Sequence, residues 1–377
     1  MDHPFWLLVA FAIGACIGSF LNVVIYRMPL DLSVNDPKRS FCPKCKSEIP
    51  MSRNIPLVSW LALRGKCADC KAPISPRYFF VELLTGVLFA VTFWVVAGRV
   101  DPKVFSVELL ALFPLWFMVA CLVALSFIDA EHFIIPLELT ISSTVAGVLA
   151  AVAMPSLPDL VGWSFGEPNW LDGLKFSVIG WVFGFFGLWA VVLFGKMAFG
   201  RMVWNHDEPV EWRLEEPENE EEPILFHMGE ESLAWWDIFY RRSDRLVIET
   251  ETLVVDGKER ESGTLIITDG GLTLPDKTEV PLEELESLSG TARKAVIPRE
   301  AMGMGDVHLM GVVGAFFGWF GVFFSLLCAS IYAIVAAILG RIGFGSRLPF
   351  GPFIALGALT WLFGGWKLAV LYLSYVR

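Results

Sequence analysis

Charged residues are scarce in this sequence, and several long stretches contain none. Only 18% of the 377 residues are Asp, Glu, Lys or Arg, whereas 55% are hydrophobic. Uncharged runs of about 20 residues, the length at which a helix crosses the hydrocarbon layer, recur along the chain. The composition therefore excludes an ordinary water-soluble domain and indicates a protein with many membrane crossings.

Several catalytic motifs are also absent. The chain has no H-E-x-x-H zinc-protease motif, no phosphate-binding P-loop, no dinucleotide fingerprint and no G-x-S-x-G. Its basic residues between positions 27 and 77 suit anionic lipid headgroups better than nucleic acid. We therefore expect the lipid bilayer as a partner and no nucleic-acid partner.

The apolar runs predict eight membrane helices. They lie near 4–26, 79–98, 104–128, 133–154, 174–195, 307–319, 321–340 and 351–372. Only the segment from Gly318 to Gly321 separates the two runs within 307–340, so one of these two helices is expected to be short or tilted. The predicted fold class is an all-α polytopic membrane protein with about eight transmembrane helices.

The distribution of basic residues predicts the orientation of the chain. Between Arg27 and Arg77 there are ten Lys/Arg and four Asp/Glu, whereas the short connections near 99–103 and 155–173 have few basic residues. Loops rich in Lys and Arg stay in the cytoplasm, so the 27–77 loop is expected there. Nothing basic precedes the first apolar run, which favours a retained first helix over a cleaved signal peptide.

The net charge of -11 is concentrated in one segment. Residues 201–300 hold 25 acidic and 11 basic residues, whereas the rest of the chain is slightly basic. The acidic stretch 215–223 predicts a flexible linker, and the apolar pattern after Arg245 predicts short strands joined by turns. We expect a β-rich, soluble insert on the cytoplasmic side, in which His206 and His227 are ordinary surface or packing residues.

The sequence thus divides into five segments. In chain order they are a first transmembrane helix (1–28), a cytoplasmic four-cysteine zinc module (29–77), membrane helices two to five (78–200), the acidic insert (201–299) and membrane helices six to eight (300–377).

Four of the seven cysteines form two closely spaced pairs. Cys42 and Cys45 make one C-x-x-C, and Cys67 and Cys70 make the other. This spacing predicts a tetrahedral zinc site with a structural role, because four thiolates leave no coordination position open for substrate. Two disulfides or a redox-active pair are the alternatives, and a reducing cytoplasm disfavours disulfides.

Two aspartates lie at the ends of predicted membrane helices. Asp129 ends the run A-L-S-F-I-D, and Asp306 opens a run in G-M-G-D-V-H-L-M-G. An ionisable side chain at such a place is costly, and the count of crossings puts both at the cytoplasmic face. Each alone is equally well explained as a helix-terminal residue or cap. Together they predict an acid–base pair, in which one carboxyl activates water and the other protonates a scissile amide.

The neighbours of these aspartates suggest two further possibilities. Gly303 and Gly305 are predicted to let the backbone approach an extended peptide, although glycine also packs membrane helices. A metal site that combines Glu131, His132 and His308 with the aspartates is a weaker alternative.

Seven stretches, in order along the chain, carry a family resemblance: G-S-F-L-N-V-V-I-Y-R-M-P (18–29), C-P-K-C (42–45), N-I-P-L-V-S-W-L-A-L-R-G-K-C (54–67), S-P-R-Y-F-F-V-E-L-L-T-G (75–86), F-I-D (127–129), G-M-G-D (303–306) and L-P-F-G-P-F (348–353). They resemble the type 4 prepilin peptidases, bifunctional leader peptidases and N-methyltransferases of pilus and type II secretion systems. The segment 201–298 has no counterpart in that resemblance.

The resemblance implies roles for the candidate residues. Asp129 and Asp306 match the catalytic aspartates of the family, and Gly303 and Gly305 match its G-x-G-D glycines. The four paired cysteines match a module associated with metal binding and with methylation from S-adenosylmethionine. Two positions depart from the family pattern, with Leu137 after Pro136 where aspartate is usual and His308 where lysine is frequent.

The expected function is therefore that of an aspartic endopeptidase of the bacterial inner membrane. It would remove the basic leader from type IV prepilin or pseudopilin precursors and methylate the new N-terminus. The alternative is a non-catalytic membrane scaffold or assembly factor of a pilus or secretion system. The sequence does not identify a partner of the insert.

Overall fold

A computed structural model of the chain describes residues 3–36, 40–42, 44–98, 109–162, 169–215, 224–239, 244–282, 285, 287–298, 302–341, 348–368 and 371. The chain forms two compact units, one made of Met1–Trp189 with Gly303–Arg377 and the other of Ala190–Met302. Apart from Glu215, the predicted linker at 215–223 lies outside the described residues.

The first unit is helical, and one short helix belongs to the second unit. The α-helices of the described chain, in order, are α1 (His3–Arg27), α2 (Val58–Ala62), α3 (Pro76–Ala97), α4 (Leu112–His132), α5 (Leu137–Ala153), α6 (Leu157–Leu160), α7 (Trp170–Phe199), α8 (Trp235–Ile238), α9 (Met304–Leu339) and α10 (Gly351–Thr360). Short 3-10 turns lie at Met28–Leu30, Met51–Arg53 and Leu109–Ala111, and α10 continues into a wider turn at Trp361–Gly365.

Among the residues that the structure describes, five helices are long and apolar enough to cross a membrane. They are α1, α3, α4, α7 and α9, and α5 is a shorter apolar helix. The chain is therefore a multi-pass membrane protein, as its composition predicted. The number of eight crossings stays a prediction.

The boundary between α4 and α5 differs from the predicted one. The sequence placed the end of one helix at 128 and the start of the next near 133, whereas α4 continues to His132 and α5 begins at Leu137. Phe133 ends α4 in a left-handed conformation (φ 55°), and Pro136 precedes α5 in extended backbone. Because the residue before a proline disfavours helix, the chain stays non-helical through Ile135. The first residues of the predicted helix 104–128, which corresponds to α4, lie outside the described residues at 104–108.

Helix α9 reverses direction at Gly318. Its φ of 69° and ψ of -179° are accessible almost only to glycine. A Cβ built on Gly184 of α7 would lie 2.4 Å from the Met310 carbonyl oxygen and 3.2 Å from Val322 Cγ2, so both arms of α9 contact the same point of α7. In a straight helix, Met310 and Val322, which are twelve positions apart, would be separated by about 18 Å. The predicted break at Gly318 is therefore confirmed, and the two arms run back along each other.

Helices α1 and α3 approach each other closely at glycines. A Cβ on Gly14 would lie 2.7 Å from the Thr85 carbonyl oxygen, and one on Gly18 would lie 2.7 Å from Glu82 Cα. Small residues allow membrane helices to pack backbone against backbone. This contact fixes the N-terminal half of α3, which carries Glu82, against α1.

The second unit is an antiparallel sheet. Its nine strands are β1 (Arg201–Glu215), β2 (Leu225–Met228), β3 (Glu231–Ala234), β4 (Leu246–Val255), β5 (Lys258–Arg260), β6 (Gly263–Thr268), β7 (Gly271–Thr273), β8 (Glu279–Pro281) and β9 (Leu288–Pro298). The strand order is β3-β2-β1-β9-β4-β6-β7-β8, and β5 pairs with β4. Trp212, Phe226 and Met228 are fully buried in its core. The predicted β-rich insert is thus confirmed.

The first and last strands of this unit are partners. In the pairing of β1 with β9, Arg201 is opposite Pro298 and Asn205 is opposite Lys294. The chain therefore enters and leaves the sheet at adjacent positions.

Candidate active site and cysteine module

Asp129 lies in the last turn of α4, and its side chain is only 6% exposed. Its Oδ2 accepts a hydrogen bond from the Gly351 N–H, with a donor–acceptor distance of 2.9 Å. Gly351 is the first residue of α10. The partial positive charge of a helix N-terminus stabilises a negative charge placed there, so α10 holds and supports the Asp129 carboxylate.

Asp306 occupies the first turn of α9 and is 8% exposed. Gly303 is the N-cap residue of this helix, and Asp306 Oδ2 is the atom nearest to its Cβ position. A carboxylate at the third helical position reaches back to the N-cap in this way. The second oxygen, Oδ1, is buried and has no hydrogen-bond partner among the described residues. Asp306 therefore has one oxygen available for a water molecule or a substrate group.

Ile135 shows that the two aspartates share one site. Cβ atoms built on Gly305 and Gly351 would lie 2.6 Å from Ile135 Cβ and 3.2 Å from Ile135 Cδ1, respectively. The backbone beside Asp306 and the backbone that binds Asp129 thus pack against one side chain. The two carboxyl groups are also close enough to repel each other.

The two glycines before Asp306 have different surroundings. Gly305 leaves no room for a side chain, because its Cβ would overlap Ile135. Gly303 has an ordinary extended backbone (φ -72°, ψ 151°), and the nearest atom to its Cβ position is Asp306 Oδ2 at 3.8 Å. Helix packing therefore requires glycine at 305 but not at 303.

Sequence reasoning missed Gly351. A Cβ on Gly351 would lie 2.8 Å from Asp129 Oδ2, so the residue also needs to be small. The stretch L-P-F-G-P-F that contains it was noted only as part of the resemblance. A Gly-Pro pair that opens an apolar helix was the available signal, since proline at the start of a helix marks its N-terminus.

The alternative metal site near the aspartates is not formed. Glu131 makes an ion pair with Arg77, and the His308 ring packs edge-on against Phe185. Within the described part of the chain, the four paired cysteines are the only group arranged to hold a metal ion.

The four cysteines meet at one point, carried by two similar turns. Cys42 and Cys67 are buried and accept hydrogen bonds through their carbonyl groups from the N–H groups of Lys46 and Lys71. Both lysines have left-handed backbone, with φ of 59° and 61°. The four sulfur atoms lie within 4.8 Å of one another, and all four cysteines are free thiols.

The sulfur positions fit a zinc ion. Cys42 Sγ is 3.8 Å from Cys70 Sγ, and Cys45 Sγ is 4.0 Å from Cys67 Sγ. Zn–S bonds of about 2.3 Å in a tetrahedron place the sulfur atoms about 3.8 Å apart. The donor set and its spacing therefore suit a zinc ion.

The cysteine thiols also differ in acidity. The Ser47 hydroxyl and backbone lower the pKa of Cys45 to about 6, and backbone N–H groups of Cys70 and Asp69 lower the pKa of Cys67. The Ala72 N–H favours the Cys70 thiolate, but burial and the neighbouring sulfurs outweigh it and raise the pKa of Cys70 to about 11. Because nearby thiolates repel one another, full ionisation of the group needs a compensating cation.

A cavity of about 680 Å³ lies between the cysteine module and the ends of α1, α3 and α4. Its lining includes Asn22 of α1, Trp60 of the module, Tyr78 and Glu82 of α3, and Glu131 of α4. Cys42 and Cys67 border it as well. Because Glu131 follows Asp129 by two residues, the cavity reaches the end of the helix that carries the first aspartate.

These features define a multi-pass helical membrane protein with a buried pair of aspartates and a separate four-cysteine module. Residues 12–96 match the bacterial peptidase A24 N-terminal domain, and residues 274–338 match the type IV leader peptidase family. A Klebsiella pneumoniae prepilin leader peptidase/N-methyltransferase is 34% identical over 210 residues, which cover 53% of this chain and 81% of the relative. The chain belongs to the type IV leader peptidase family.

Two other relatives carry the same name. The Myxococcus xanthus protein is 41% identical over 181 residues, covering 47% of this chain and 50% of the relative. The Dichelobacter nodosus protein is 36% identical over 211 residues, covering 49% of this chain and 65% of the relative. The chain thus matches about half to two thirds of the length of these two relatives. No solved structure matches it.

Proposed function

We propose that this protein is an intramembrane aspartic endopeptidase that removes the basic leader from type IV prepilin-like precursors. The family and the names of its relatives support this function. The observation that carries it is the buried pair of Asp129 and Asp306, in which one carboxylate oxygen has no partner among the described residues.

The two carboxyl groups divide the chemistry of amide hydrolysis. Asp129, whose carboxylate is stabilised by the Gly351 N–H at the start of α10, removes a proton from the water molecule as the water attacks the scissile carbonyl carbon. Asp306, whose Oδ1 has no partner among the described residues, donates a proton to the amide nitrogen as the C–N bond breaks. Neighbouring carboxyl groups share one proton readily, because both cannot ionise at close range.

The position of the site suits a substrate with a basic leader and an apolar helix. Asp129 ends its helix and Asp306 begins its own, so both lie at a membrane-helix terminus. We infer that this end, the cysteine module and the insert face the cytoplasm of a bacterium, and that the protein resides in the inner membrane. The leader then stays in water while the apolar helix of the substrate lies in the bilayer.

We infer that the protein also methylates the new N-terminus. The relatives are named N-methyltransferases, and the cavity of about 680 Å³ is large enough for S-adenosylmethionine. That molecule would supply the methyl group, held by residues of the module and of α3. A zinc ion on the four cysteines would stabilise the two turns that border the cavity.

Replacement of either aspartate by asparagine tests the proteolytic mechanism. Asp129→Asn and Asp306→Asn keep the shape of the side chain but remove its ability to exchange a proton, so each is expected to abolish cleavage of a prepilin. Cleavage is measured on purified protein with a synthetic leader peptide. Asp31→Asn is the matched control, since Asp31 is exposed and asparagine accepts its left-handed backbone. Near wild-type turnover by Asp306→Asn would refute the mechanism, and absence of cleavage by the wild-type protein would favour a non-catalytic scaffold.

A further inference from the structure

Glu82 is a buried carboxylate inside a membrane-spanning helix. It lies two turns into α3, is 9% exposed, and lines the cavity below the cysteine module. A carboxylate in such a place is costly and marks a functional site unless a structural reason accounts for it. The proposed peptidase reaction does not use it.

The hydrogen bond that Glu82 accepts comes from a neutral group. Its Oε2 accepts the Leu57 N–H at 2.7 Å. Across the described part of the chain, no Lys, Arg or His makes an ion pair with Glu82. Glu131, which lines the same cavity, is by contrast paired with Arg77.

A structural role explains why position 82 has a side chain that accepts a hydrogen bond, but it does not explain why that side chain is ionisable. Leu57 has positive φ (63°), and the hydrogen bond from its N–H holds this unusual turn in place. The carboxamide oxygen of glutamine accepts the same hydrogen bond without the cost of burying a charge. The carboxylate therefore points to a ligand that carries the opposite charge.

We propose that Glu82 binds an organic cation in this cavity. The aromatic rings of Trp60 and Tyr78 border the same space, and such rings attract cations through their faces. The inference rests on the proposed methyl transfer, which brings together two cations: the α-ammonium group of the cut peptide and the sulfonium group of the methyl donor. The experiment separates these two sources.

If the ligand is the α-ammonium group, Glu82 has a chemical task as well. Its carboxylate accepts a proton from the ammonium group, which becomes a neutral amine. The nitrogen lone pair then forms the new N–C bond to the methyl carbon, while the S–C bond breaks and its electrons stay on sulfur. The donor leaves as a neutral thioether, and the methylated nitrogen carries the positive charge.

Two pairs of probes test the proposal by binding to the full-length protein in detergent. One pair is a mature-pilin peptide with a free α-amino group and its N-acetylated form. The other is S-adenosylmethionine and the neutral S-adenosylhomocysteine. Titration calorimetry is expected to show that wild-type protein prefers the charged member of one pair by about tenfold or more, as a desolvated charge pair requires.

Glu82→Gln, which keeps the Leu57 hydrogen bond, is expected to lose this preference, and Glu82→Asp is expected to keep part of it. Glu131→Gln is the matched control, because its carboxylate already has Arg77 as a partner, and it should retain the preference. Zinc content and thermal unfolding establish that each variant is folded.

If Glu82→Gln loses the preference for the peptide with a free α-amino group, the ligand is the α-ammonium group. If it loses the preference for S-adenosylmethionine over S-adenosylhomocysteine, the ligand is the sulfonium group. An unchanged preference in Glu82→Gln, or no preference in wild-type protein, overturns the proposal. Failure of the proposed peptidase function would be seen separately, in the cleavage assay of the aspartate variants.

Discussion

Gly303 and Gly305 both precede Asp306, but only one of the two is tightly packed. Only Gly305 packs so tightly that a side chain would overlap Ile135, whereas Gly303 faces open space apart from the Asp306 carboxylate. Gly305 is therefore a packing residue. Gly303 has room to face a peptide, which is the role that the sequence predicted for both glycines.

Alanine at each glycine separates these two roles. Gly305→Ala is expected to destabilise the protein by about 1–3 kcal/mol, because the added methyl group forces Ile135 or α9 to move. It should also lower kcat, since Asp306 is the next residue. Gly303→Ala is expected to change stability by less than about 0.5 kcal/mol but to raise KM for the prepilin. Thermal unfolding measures the change in stability of each variant, and cleavage kinetics measure its kcat and KM. Equal losses of stability in the two variants would contradict the distinction.

At the residue scale, the sequence identified the candidate side chains but not their contacts. Asp129 and Asp306 were recognisable because a carboxylate rarely interrupts an apolar run. The hydrogen bond from Gly351 was not predictable, since it joins residues 222 positions apart and uses only a backbone N–H. The Gly-Pro pair marks the start of α10, but it does not show which side chain the Gly351 N–H meets.

At the scale of single elements, the cysteine module is held by few apolar contacts. Its helix α2 has five residues, none of them buried, and Val58 and Leu61 are both 58% exposed. A segment of this size with so small a core usually needs a metal or disulfides to fold. The four thiols are free, so the metal is the expected stabiliser.

Cys67→Ser tests this dependence. Wild-type protein is expected to contain about one zinc per chain, with four thiols protected from alkylation until a chelator is added. The variant should lose the zinc and methyl transfer, while cleavage falls less, because the aspartates lie on α4 and α9. Elemental analysis, alkylation and the two activity assays provide the measurements. Cys16→Ser is the control, since Cys16 is an exposed cysteine on α1. A variant that keeps its zinc would refute the four-cysteine site.

Elements differed in how far the sequence predicted them. The long apolar helices and the break at Gly318 were predictable, because an uncharged run has few alternatives to a membrane helix. Strand β1 was missed, since Trp204 and Trp212 are its only buried residues and most of its other side chains are polar. Without regular alternation of apolar and polar residues, a strand gives no periodic signal.

At the scale of the whole molecule, the insert can be removed between two residues that face each other on adjacent strands. Asn205 and Lys294 are directly paired across β1 and β9, so an Asn-Gly turn can join them and replace 206–293. This deletion removes most of the acidic residues of the chain. Because both aspartates lie outside it, cleavage is expected to persist.

The deletion is expected to lower kcat/KM several-fold at low salt and to have little effect at high salt. An acidic segment attracts a basic leader at long range, and salt screens this attraction beyond about 8 Å at physiological ionic strength. Cleavage rates across a salt series measure the effect. A substrate whose leader lysines are replaced by glutamine is the control, and it should show no dependence on the insert. A loss that is independent of salt would reject the electrostatic role.

Under the proposed mechanism, the hydrogen bond from Gly351 to Asp129 also determines when the protein can become active during its synthesis. Asp129 leaves the ribosome 222 residues before its hydrogen-bond donor. At about 5–20 residues per second, this interval lasts roughly 10–45 s. During that time the first aspartate lacks both its backbone support and, for most of the interval, its partner Asp306. Under the proposed mechanism, the nascent chain therefore cannot cut other membrane proteins as they are inserted nearby, and proteolysis begins only after Gly351 has been synthesised.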